Sequence, residues 1–316
     1  ASCLTRDAGD KPLAGVYAYA GTAWEGDGYN KNQPELRLFA LVNASRKAEA
    51  PRDKRFGVGE DLPVLKPTFK FPDKTQAALG GMAAWNGLLV ASLPKLNQLL
   101  FIDAAAEKVF GTAPLDDARG LAFERDGQLL ALSAKRLLRF RLPSRDQFGP
   151  SVTLPAPQAV VGTGLEDPQQ IALDAQGNLY ISDRGESHQV KVFAPDGKPL
   201  RTIGTAGAPH AGPYDPNHMN NPRGVTIASD GHLWVAEEDF QPKRVSVWNL
   251  DGKLAQAFYG PPIYGGGGVL DPQDKSLFYL GGMTFRLDWQ AGTGQPIFIH
   301  HRPGPIAAEG GPDHPR

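Results

Sequence analysis

The 316-residue sequence predicts an all-β fold, a six-bladed β-propeller of four-stranded antiparallel blades, from three observations. A strand-opening pattern recurs six times, a glycine turn follows it at a fixed distance, and Asp-Gly pairs separate alternating apolar runs. Repeats of this length are units that cannot bury both faces alone and must stack on their neighbours.

In chain order, the openings are AGVYAY (Gly15), GGMAAW (Gly81), RGLAFE (Gly120), QQIALD (Gln170), RGVTIA (Gly224) and GGVLDP (Gly268). Six residues past the first apolar residue comes a turn: Gly127 after Leu121, Gly177 after Ile171, Gly231 after Val225, and Lys275 after Val269. Asn86-Gly87 serves one residue early in the second copy. A second apolar strand follows each time: LLVASL, LLALS, NLYIS, HLWVAE and SLFYLG. Strands three and four are legible where VKVFAPDGKPLRTIG (190–204) superposes on VSVWNLDGKLAQAFYG (245–260), and LLFIDAAAEKVFG (99–111) is a third copy. Asp-Gly between alternating runs signals a hairpin in which both turn residues accept positive φ. The expected organisation is one propeller domain over 1–302, with 303–316 a tail or linker that has no period.

Composition narrows the function classes. A formal net charge of −1 leaves no basic excess for nucleic acid. No apolar run is long enough for a membrane span. The 37 glycines and 28 prolines suit many tight turns better than long helices. A single cysteine, Cys3, excludes an intramolecular disulfide and a cysteine-rich metal site. The chain begins at Ala1, which is read as a mature or excised form, a monomer or a module of a larger chain, with an extracytoplasmic (periplasmic or secreted) location expected.

Pro168-Gln-Gln-Ile-Ala-Leu-Asp with Gly177-Asn-Leu-Tyr-Ile-Ser-Asp183, and Pro222-Arg-Gly-Val with Gly231-His-Leu-Trp-Val-Ala-Glu237, resemble the NHL-repeat family. The likeness is tight over 165–260, looser over 78–155, and faint over 1–75 and 261–302. It implies an NHL-like propeller acting as a ligand- or protein-binding module, as part of a larger exported bacterial protein. It also implies an alternative, because relatives include enzymes. That alternative is a metal-dependent (Ca or Zn) hydrolase or lyase of the gluconolactonase or amidating-lyase type, with its site at the channel mouth.

Loop lengths place the candidate site. The Asp-Gly hairpins share one end of the sheets and are expected to be too short to build a pocket. The other end receives DRGESHQ (183–189), TAGAPHAGPYDPNHMNN (205–221), EEDFQPK (237–243) and YGPPIYGGGG (259–268). Function concentrates on loops held by a rigid scaffold. The candidate ligand-binding residues there are Asp183, Arg184, His188, His210, Tyr214, His218, Glu237, Glu238 and Tyr264, for a small-molecule, glycan or protein ligand.

Asp183 and Glu237, which close the second strands of adjacent units, have two readings. Either they cap strands and pair with Arg184 and Arg244, or they hold a cation. Calcium would suit carboxylates. The imidazoles of His188, His210 and His218 share that end and three histidines could bind zinc, so the candidate metal set takes His188 and His218 beside the two carboxylates. The equivalent positions Ser133 and Gly281 bring no carboxylate. The glycines of 265–268 lack the spacing of a phosphate loop and precede a strand.

Overall fold

A computed structural model describes residues 16–20, 35–41, 64–72, 78–103, 108–238, 241–260 and 268–300. Among them are six antiparallel sheets, each a meander in sequence order apart from one added strand. The first holds β1 (Val16–Ala20), β2 (Glu35–Leu41) and β3 (Val64–Lys70). The second holds β4 (Met82–Trp85), β5 (Leu88–Leu93), β6 (Gln98–Asp103) and β7 (Lys108–Pro114). The third holds β8 (Ala118–Phe123), β9 (Leu129–Ser133), β10 (Arg136–Phe140) and β11 (Gln158–Val161). The fourth holds β12 (Pro168–Leu173), β13 (Leu179–Asp183), β14 (Gln189–Phe193) and β15 (Pro199–Ile203). A two-residue strand, β16 (Gly212–Pro213), precedes the fifth sheet in the chain but pairs with the sixth. The fifth holds β17 (Pro222–Ile227), β18 (Leu233–Glu237), β19 (Arg244–Trp248) and β20 (Leu254–Tyr259). The sixth holds β21 (Val269–Leu270), β22 (Leu277–Leu280), β23 (Met283–Asp288) and β24 (Thr293–Ile299), and β16 makes it five-stranded.

The chain divides into two compact units, 1–179 with 193–199, and 180–192 with 200–316. Within the first unit the opening strands β4, β8 and β12 lie side by side. Glycine makes this approach feasible: a Cβ on Gly81 would fall 2.8 Å from the Cα of Gly120. One on Gly120 would fall 2.6 Å from the Cα of Gln170. The recurrent glycine of the opening dipeptide is thus a packing requirement between neighbouring sheets.

Strand β5 is buried along its whole length. Its alternate residues serve two cores, Leu88 and Val90 one, Leu89, Ala91 and Leu93 the other. Period-two side-chain alternation explains how one continuous apolar run fills both. The outermost strands lose this cover, as four exposed residues of five in β15 illustrate.

The Asp-Gly turns correct one detail of the sequence reading. Positive φ is found at Gly197 (87°) and Gly252 (100°), whereas Asp196 and Asp251 have ordinary φ. Each aspartate instead accepts the backbone N–H two residues on, Lys198 at 3.0 Å and Lys253 at 3.1 Å. An Asx turn followed by one left-handed glycine supplies the reversal. Both turn residues take positive φ in the Asn86-Gly87 hairpin, 46° and 73°, and in the Gly281-Gly282 hairpin, 57° and 73°.

Candidate functional site

The candidate residues of the second unit form three separate sets. The first is built around Glu237, the last residue of β18, and Arg244, which opens β19; both side chains have no exposed surface. Arg244 Nε donates to Glu237 Oε1 at 2.7 Å, and the Ser246 hydroxyl donates to the same oxygen at 2.7 Å. The Asn220 amide donates to Oε2 at 2.7 Å. Burial pushes the Glu237 carboxyl up from its ordinary value, opposed by Arg244 and these donors. Burial also works against the Arg244 charge, but Glu237 and Tyr214 hold the guanidinium above its usual pKa.

The remaining guanidinium N–H groups tie down the long connection before β17. Nη1 donates to the Tyr214 hydroxyl at 2.8 Å and to the Pro216 carbonyl at 2.7 Å, and Nη2 to the His218 carbonyl at 2.8 Å. Tyr214 packs edge-on against Tyr259, with centroids 6.2 Å apart, and burial raises its hydroxyl pKa. Tyr214, expected to meet a ligand, is therefore part of the support of its loop.

The second set is Asp183, the last residue of β13. It is fully buried and receives Lys191 Nζ at 2.8 Å, which corrects the expected pairing with Arg184. Arg184 instead donates to Glu238 Oε2 at 2.8 Å, and Arg223 reaches the other oxygen of the same carboxylate. This Arg184–Glu238–Arg223 cluster is the third set, and it is partly exposed.

The histidines are each engaged. Nδ1 of His188 accepts the Asn221 amide at 3.0 Å, in a residue with φ 48°. His218 Nδ1 lies 2.8 Å from the Gly207 carbonyl, so it carries the proton and donates. His210 is exposed, 5.9 Å from the His218 ring in an edge contact, with Nδ1 beside its neighbour's carbonyl, Ala211. Among the described residues no three of His, Cys, Asp and Glu come together as a metal set. The cation set expected from Asp183, Glu237, His188 and His218 does not assemble among the described residues, and the two carboxylates face Lys191 and Arg244 instead. Tyr264 lies outside the described residues.

The sequence reading missed a cavity. One of about 550 Å³ opens at the hairpin end of the second and third sheets, between Trp85, Arg141, Arg145 and Phe148. The expectation that this end builds no pocket is corrected. The wall is supplied by the long connection between β10 and β11, and its unusual length was the available signal.

No family model matches the chain. A 98-residue stretch is 30% identical to peptidyl-alpha-hydroxyglycine alpha-amidating lyase 2 of Drosophila melanogaster, covering 31% of this chain and 23% of that protein. The match therefore spans less than a quarter of that relative's length. Among solved structures, the chain is similar to a catalytically inactive virginiamycin B lyase from Staphylococcus aureus with quinupristin, at 11% identity. That likeness covers 90% of this chain and 80% of that one, with TM-score 0.44. It is also similar to a chain of the nidogen/laminin complex, at 14% identity over 78% of this chain and 75% of that one, with TM-score 0.49. No helix among the described residues is long and apolar enough to cross a membrane.

Proposed function

We propose that this chain is a six-bladed, NHL-like propeller that works as a non-catalytic binding module, extracytoplasmic, with its ligand on the loop-bearing end of the sheets. The observation that carries this reading is how the site's charges are spent. Asp183 and Glu237 are buried in ion pairs with Lys191 and Arg244, so neither is poised as an acid, base or cation ligand. What the loops present to solvent is the cluster of Arg184, Arg223 and Glu238, with His210 nearby in sequence on an exposed loop. Two guanidiniums gathered at one exposed cluster are the groups that receive an acidic glycan or peptide.

The 98-residue match keeps one enzymatic reading alive, a lyase acting on peptidyl-α-hydroxyglycine. One experiment separates the two. Calorimetric titration with a panel of acidic peptides and glycans should give saturable binding that the R184Q/R223Q double variant weakens at least about tenfold. Release of amidated peptide from a peptidyl-α-hydroxyglycine, with zinc and calcium supplied, would overturn the binding-module reading.

A further inference from the structure

We propose that the cavity at the hairpin end of the second and third sheets is a binding site for a small aromatic carboxylate. This site is independent of the loop end discussed above. The apolar part of its lining is Trp85, Leu88, Leu142, Pro143 and Phe148. Trp85 is fixed in place, because Gly127 passes so close that a Cβ there would fall 2.7 Å from the six-membered ring of the indole. Phe148 is fixed too, against Phe101 and Phe110 at centroid distances of 5.3 and 5.4 Å. Two flat side chains held this way offer stacking surface without an ordering cost at the time of binding.

Charge selects the ligand's sign. The lining carries two guanidiniums, Arg141 and Arg145, and one carboxylate, Asp126. Asp126 is already occupied: its two oxygens accept the Gln128 amide N–H at 3.2 Å and the Gln128 side-chain amide at 2.7 Å. Arg145 is anchored by a hydrogen bond to the Asn86 carbonyl and lies over Gly87, where a Cβ would meet its Nη2 at 3.3 Å. That anchor uses one terminal nitrogen, and a guanidinium carries further N–H donors that a ligand in this cavity can use. Arg141 is exposed and enters no hydrogen bond or ion pair among the described residues. A carboxylate is the group that a planar guanidinium receives bidentately, and the adjoining aromatic wall requires a flat apolar body. Asn86, Asp126, Gln128 and Ser144 also line the cavity, so a sugar acid is the competing ligand that the test must include. The volume, within the usual range for ligand sites, admits one or two fused rings.

Calorimetry of the full chain with naphthalene-2-carboxylate tests this, with naphthalene-2-carboxamide and glucuronate in parallel. The carboxylate should bind saturably at one site with Kd below about 1 mM, and the carboxamide at least about tenfold more weakly. Arg141→Gln and Trp85→Leu should each weaken the carboxylate by about tenfold or more, whereas Arg136→Gln, on an exposed strand position outside the cavity, should leave it unchanged. Arg141 is exposed, so R141Q should keep the wild-type Tm. That separates lost binding from lost folding. The absence of saturable binding, equal affinity for the carboxamide or for glucuronate, or full retention of binding in R141Q would each overturn the proposal.

Discussion

Glu237 and Asp183 occupy the same place in successive repeats, yet the two are held differently. Glu237 receives a guanidinium, a hydroxyl and a backbone amide, and its partner Arg244 goes on to grip three groups of the 214–218 segment. Asp183 receives an ammonium from Lys191, which stands where the fifth sheet has Ser246. At the position of Arg244, the fourth sheet carries Gln189, which donates to the Gly204 carbonyl at 2.7 Å. The difference teaches what the closing carboxylate of the repeat is for. It is a buried acceptor at the end of a strand, and the length of the loop beside it decides how large a donor must serve it. Where the chain makes the long excursion over 205–221, a five-donor guanidinium spans strand and loop together.

The largest effect should come from breaking the better-connected pair. Arg244→Met leaves Glu237 buried without its cation and frees the Tyr214, Pro216 and His218 anchors. Removing one partner of a buried pair costs about 3–5 kcal/mol, read as a lower urea midpoint. The double variant E237L/R244M should recover a substantial part of that loss, since no buried charge remains. If R244M alone is neutral, Glu237 is not the acceptor described above.

Lys191→Met tests the other side of the comparison. Asp183 is fully buried, but the Lys191 side chain keeps 12% of its surface in solvent. Water can reach the site more readily than it reaches Arg244, whose side chain has no exposed surface. The expected loss is about 3 kcal/mol, the lower end for a buried pair. A loss larger than that of R244M would reverse the ranking.

How much of this could be read in advance follows from side-chain direction. The six strand openings and the glycine turns were legible because they recur at fixed spacing in one dimension. The Glu237–Arg244 pair was legible as well, since the two follow directly on the paired residues Ala236 and Val245 of adjacent strands. Arg184 was the wrong partner for Asp183 because successive residues at a strand end point to opposite faces. Asp183 turns inward to Lys191, and Arg184 turns out to Glu238. The contributions of Asn220 and Tyr214 could not be read, since they come from an irregular loop whose path has no period. The cavity at Trp85 was hidden for the same reason: its wall, 141–148, lies in an aperiodic connection.

A third, smaller contrast lies one residue earlier in each second strand. Ser182 donates to the Arg223 carbonyl at 2.6 Å, and Ser92 donates to the Arg119 carbonyl, so each fastens its sheet to the next. The fifth sheet has Ala236 at this place and dispenses with the fastener. Ser182→Ala should cost about 1–2 kcal/mol, the price of leaving a carbonyl without its donor. The measurement is again a urea midpoint, and an unchanged midpoint would mean that water replaces the hydroxyl.

The smallest effect concerns the loop that Arg244 holds. Asp215 accepts the Asn217 amide and side-chain N–H groups, both at 2.9 Å, and these bonds keep its carboxyl below the ordinary 3.8. A depressed folded-state pKa means that the unfolded chain binds this proton more readily as pH falls. The stabilisation is complete above about pH 4 and drains away as pH drops through 3.8 toward the folded value. Asp215→Asn should therefore lower stability at neutral pH by less than about 1 kcal/mol, because the side chain is half exposed and screened. The gap between wild type and D215N should close on acidification through that window. If it persists unchanged at pH 2.5, the aspartate acts through shape alone, and the 214–218 segment is held by Arg244 without electrostatic help from its own turn.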